Sequence, residues 1–167
     1  MSAIYLVSCV SKKKDQACAA KDLYVSDWFR KARAYVELKG YPWFILSAEY
    51  GLLDPGAVVE PYERTLNKMP IRERRAWAEQ VIAQLRRKLD GVDRIVILAG
   101  ARYREFIMED LTNRVAEVEV PLEGLRIGEQ LSWLSEKIRH ESTQEPGPFL
   151  PASGRPRAAR WGDAPSS

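Results

Sequence analysis

Histidine and cysteine are almost missing from this sequence: His140 is the only imidazole, and Cys9 and Cys18 are the only thiols. A dedicated zinc site needs three or four such ligands, so none is expected without several carboxylates. A Ser-His-Asp arrangement is not expected either, because His140 falls at the end of the last helical segment. Two cysteines make no disulfide framework and point to a reducing compartment. No apolar run approaches the roughly 18 residues of a membrane span. Met1-Ser2-Ala3 enters a strand-like segment with no basic region before it, so no secretory leader is read and a cytoplasmic location is expected. There is no GxGxxG and no GxxxxGK[ST], so neither a dinucleotide cofactor nor P-loop chemistry is expected, and no cofactor is assigned.

Net charge is also small, +3 over 167 residues. Its distribution is less even. Residues 12–39 hold eight Lys or Arg against four acids, and residues 71–89 hold six against two. Such stretches fit either solvated helix faces or a surface that meets phosphates.

What is present reads as alternating strands and helices. Ala3–Ser8 (AIYLVS) is a buried strand followed by a polar loop. Residues 24–39 have helical spacing and stop at Gly40. Trp43–Ser47 (WFILS) is a second strand. Residues 48–70 carry Pro55, Gly56, Pro61 and Pro70 without a period, and read as a long loop. Residues 71–89 form the clearest helix, entered from Pro70. Strand 94–99, short helix 102–111, half-exposed strand 115–120 and helix 127–138 follow. This order predicts a single three-layer α/β domain over residues 1–141, with a central, mostly parallel sheet of about four strands. Residues 142–167 hold five of the ten prolines, and a disordered tail is expected there.

In open parallel sheets ligands sit at the carboxyl ends of strands. The residues expected there are Cys9, Ser11 and Lys12, then Ser47, Glu49, Tyr50 and Gly51, then Gly100 and Tyr103. Glu49 lies between buried and aromatic residues. It fits a partly desolvated general base or cation stabiliser, or a glutamate that binds loop backbone. Lys12 fits a phosphate or carbonyl contact, although it opens a lysine run. Cys9 fits a nucleophile or a small buried residue. Tyr24 and Ser26 precede a helix that Ser26 could cap, and a capped helix start is also an anion site. Tyr50, Tyr62 and Tyr103 fit base stacking or core packing. Gly100 and Gly128 permit close backbone approach to a ligand. Arg86, Arg87 and Lys88 offer a basic surface on helix 71–89.

These residues resemble a known group. Cys9-x-x-Lys12, Leu23-Tyr24-x-Ser26, Leu46-Ser47-Ala48-Glu49-Tyr50-Gly51-Leu52, Pro61-Tyr62, Ala99-Gly100-x-x-Tyr103 and Pro121-Leu122-x-Gly124-x-x-Ile127-Gly128 resemble small bacterial domains related to the YaaA peroxide-stress proteins. More remotely they resemble the core of archaeosine synthase, although the lysine here is not followed by Pro-Tyr. The resemblance implies an α/β fold similar to uracil-DNA glycosylases and a pocket for a base or nucleoside. Glu49, Lys12 and Tyr24 are the expected catalytic residues. Cys9, Ser11, Ser26, Ser47, Tyr50, Gly51, Tyr62, Gly100, Tyr103 and Gly128 are the expected substrate contacts. Two functions follow as expectations: a base- or nucleoside-processing enzyme, glycosylase-like, or a nucleic-acid-binding module without turnover.

Overall fold

The computed structural model describes residues 2–143. The central strand is β1 (Ala3–Ser8), whose six residues are all buried. A strand buried on both faces reads as an unbroken apolar run, which AIYLVS is. It pairs in parallel with β3 (Trp43–Ser47) on one side and β6 (Arg94–Leu98) on the other. Register places Leu6 between Phe44 and Ile97. The edge strand β7 (Glu117–Glu119) runs parallel to β6. Together with β4 (Gly51–Leu53) these strands form the order β4-β3-β1-β6-β7.

The fold class is the expected one, with β4 as an added antiparallel edge strand on β3. It sits inside the stretch 48–70 expected to be loop. Three residues are too few to show an alternating pattern, so β4 left no periodic trace. A second small sheet pairs β2 (Cys18–Ala19) with β5 (Val58–Val59). A 3₁₀ turn spans Leu66–Lys68.

Helix α1 (Ala20–Leu23) is a single turn. Helix α2 (Asp27–Lys39) starts where Ser26 Oγ accepts the Phe29 N–H at 3.0 Å, and ends at Gly40 with φ 81°. Helix α3 (Ile71–Arg86) follows Pro70 and leads to β6. The expected helix 102–111 is two pieces, α4 (Ala101–Arg104) and α5 (Met108–Arg114). Helix α6 (Ile127–Thr143) packs along α2. Right-handed crossovers place α2 and α3 on opposite faces of the sheet. Of the expected tail, Ser142 and Thr143 belong to α6 and residues 144–167 lie outside the described residues. No described helix is long and apolar enough to cross a membrane.

Candidate functional site

The chain leaves β1 toward β3 on one side and later returns to β6 on the other. The order therefore reverses between β1 and β6, and a crevice opens beyond their carboxyl ends. A cavity of about 380 Å³ lies there. Cys9 and Ser11 reach it from the end of β1, and Gly100 and Tyr103 from the end of β6. These four were expected from the strand-end rule.

Cys9 is 6% exposed. Its Sγ shares a 3.4 Å hydrogen bond with Tyr103 Oη, which also accepts the Leu66 N–H at 3.4 Å. Trp77 stands edge-on to the Tyr103 ring, centroids 5.6 Å apart, and its Nε1–H donates to the Ser47 carbonyl at 2.8 Å. Two further phenols adjoin this wall. Tyr24 and Tyr62 share a hydroxyl hydrogen bond of 2.7 Å, and Ser47 Oγ donates to Tyr62 Oη at 2.9 Å. Burial raises the phenols of Tyr24, Tyr62 and Tyr103 above their ordinary range, and the nearby Cys9 adds to each rise. All three stay neutral and act as hydrogen-bond donors and acceptors.

The segment SAEYG is a tight hairpin. Ser47 pairs with Gly51 across a three-residue turn. Ser47 Oγ accepts the N–H groups of Glu49 at 3.2 Å and Tyr50 at 3.0 Å. Gly51 has φ 74°, the left-handed position that closes such loops. The glycine and serine are thus required by the turn itself. Tyr50 packs edge-on against Tyr62 and donates its hydroxyl to the Glu60 carbonyl at 3.2 Å, outside the cavity wall. Glu49 projects outward with its side chain 38% exposed, and its carboxylate lies 3.8 Å from Arg64. Glu49 thus stands at the tip of the turn, one residue past buried Ala48 and beside Arg64 of the cavity wall.

Lys12 is exposed, and its carbonyl accepts the Val25 N–H at 3.0 Å. The lysine turned inward is Lys13, whose Nζ lies 4.3 Å from the Tyr62 ring centroid. Lys13 and Tyr24 face each other in an antiparallel bridge. Side chains alternate along such a segment, so Lys13 points in while Lys12 and Lys14 point out. Burial lowers the Lys13 pKa from its ordinary value. Ser26 is a helix cap, and Gly128 lines a separate open depression on α6.

Three cavity contributors had no sequence signal. Arg64, Thr65 and Asn67 fold over the cavity from the stretch read as loop. Arg102, also in the wall, stands two residues past Gly100, within reach of the same strand-end rule. The basic triplet Arg86, Arg87 and Lys88 is elsewhere. Lys88 covers Phe44, near the start of β3, with Nζ 4.8 Å from its ring centroid. Phe44 lies toward the amino edge of the sheet, and none of the three basic residues lines the cavity.

The model of a family of unknown function, DUF6884, matches residues 4–136. The chain belongs to this family. Every residue of the cavity wall falls inside the DUF6884 match. No curated protein and no solved structure matches the chain.

Proposed function

We propose that the chain processes a base or nucleoside by hydrolysing an N-glycosidic bond, with the strand-end cavity as its binding site. The position of that cavity carries the reading: about 380 Å³ at the point where strand order reverses, within the range of small-ligand pockets, about 300–1,000 Å³. The likeness of LSAEYGL to domains associated with modified bases supports a base as the occupant. In such a cleavage the bond electrons leave with the base and positive charge grows on the sugar. Water adds at the anomeric carbon and gives up a proton. Glu49, held at the rim beside Arg64, is the carboxylate for the cation and the proton. Backbone N–H groups after Gly100 and the neutral Tyr103 phenol meet the charge on the departing base. A base in duplex must first leave the stack. Both described thiols are free, which fits a reducing cytoplasm.

The test is mass spectrometry for released base. Wild type and Glu49→Gln are incubated with damaged and modified oligonucleotides and a nucleoside panel. Release by wild type and not by the variant supports the reading. Full activity in the variant removes Glu49 from the mechanism.

One observation favours a second reading, a binding module without turnover. Glu49 is partly exposed and lies outside the cavity wall. That reading expects a salt-sensitive gel shift with no base release.

A further inference from the structure

The charge of the cavity wall has one sign. Arg64 enters from the loop after β5 and Arg102 from the first turn of α4. Among the described residues no carboxylate lines the wall. The phenols adjoining it are held neutral by burial, so no phenolate opposes an anion.

Both guanidiniums meet a carboxylate only at long range. Glu49 Oε1 is 3.8 Å from Arg64 Nη1, and Glu105 Oε2 is 3.8 Å from Arg102 Nη1. Those separations are ion pairs too long for hydrogen bonds. The two arginine side chains are 53% and 51% exposed. Glu105 is itself 3.5 Å from buried Arg74, which donates to the Met69 carbonyl at 2.6 Å. Arg102 therefore leans on an anchored pair. Each guanidinium keeps N–H groups for a ligand, in the fork that suits phosphate oxygens. Ser11, Thr65 and Asn67 add neutral hydrogen-bonding groups to the same wall.

We propose that the ligand is held by a phosphate clamped between Arg64 and Arg102, so that the cavity takes a nucleotide, free or in a strand, in preference to a bare nucleoside. The base half of this ligand rests on the function proposed above; the phosphate half stands on the two arginines.

Isothermal titration calorimetry on the full chain separates the two halves. The probes are the common nucleosides, their 5′-monophosphates, a single-stranded oligonucleotide and inorganic phosphate. A monophosphate or the strand should bind at least about tenfold tighter than the nucleoside, a gain typical of charge-assisted hydrogen bonds. Arg64→Gln and Arg102→Gln should each erase that advantage, with Arg87→Gln, outside the cavity wall, as the silent control. Binding of the strand but not the monophosphates supports the clamp and makes nucleic acid its source. Equal affinity for nucleoside and monophosphate overturns the clamp while sparing the base pocket. Inorganic phosphate binding as well as any nucleotide spares the clamp and overturns the base pocket. Absence of binding by every phosphate compound overturns the proposal, as does an advantage that survives in both variants.

Discussion

On the inner side of the cavity, Cys9, Tyr103, Tyr62 and Tyr24 are buried or half-buried; one hydrogen bond joins Cys9 to Tyr103 and another joins Tyr24 to Tyr62. On its rim, Arg64 and Arg102 are more than half exposed and meet carboxylates only at long range. The two sides differ in what removal would do. A buried hydroxyl network shapes the wall, and losing a member leaves a partner unsatisfied in a dry place. An exposed arginine contributes little to stability, so its place in the cavity wall is better explained by a ligand. In the proposed reading the phosphate contacts are on the rim, and the inner wall chiefly shapes the cavity.

The strongest test of that division is Trp77→Ala. It removes a buried indole that packs on Tyr103 and donates to Ser47. Urea denaturation should show a loss of about 3–5 kcal/mol. A loss under 1 kcal/mol, roughly the scale of a surface change, would mean that the inner wall is not part of the core.

Tyr62→Phe is milder. It takes the acceptor from the Ser47 hydroxyl and the hydrogen-bond partner from the Tyr24 hydroxyl. The expected cost is about 1–3 kcal/mol by the same measurement. An unchanged midpoint would show that water replaces the missing partner.

Alkaline pH should act on the inner wall before it touches the rim. The phenols of Tyr24, Tyr62 and Tyr103 are raised above 10.0 by burial, and Tyr35, under α6, is pushed up to about 12. The unfolded chain loses those protons near pH 10 and the folded chain keeps them. Stability is therefore fully present below about pH 10 and falls as pH rises toward the folded values. Each phenol contributes a slope of up to about 1.4 kcal/mol per pH unit. Tyrosinate absorbance should lag in the folded protein and appear together with unfolding. A smooth titration near pH 10 without unfolding would contradict the buried network.

The smallest stability effects are expected at the rim. Arg64→Gln and Arg102→Gln should each stay within about 0.5 kcal/mol of wild type in thermal melts. A larger loss would move these arginines from the functional side to the structural one.

The layered sheet was legible because β1, β3 and β6 are near-continuous apolar runs, the pattern of strands buried on both faces. The short strands β2, β4 and β5 were not, since two or three residues cannot show a period. Cys9, Ser11, Gly100 and Tyr103 were legible because topology alone brings strand ends together. Arg64, Thr65 and Asn67 were hidden, because an aperiodic segment folds back over the cavity by a path that no local pattern records. The inward turn of Lys13 was hidden, because it follows from the bridge to Tyr24 and not from the lysine run itself. At SAEYG the tight hairpin by itself accounts for the serine and the glycine, a requirement that three-residue turns do not announce in sequence.

The central claim is that the cavity between β1 and β6 is the ligand site. The most direct measurement is an amide chemical-shift titration of the full chain with a nucleoside monophosphate. Shifts should cluster at Cys9, Ser11, Thr65, Asn67 and residues 100–103, and leave residues 86–88 unmoved. Shifts confined to the amino edge near Phe44 and Lys88, or to the depression around Gly128, would contradict it.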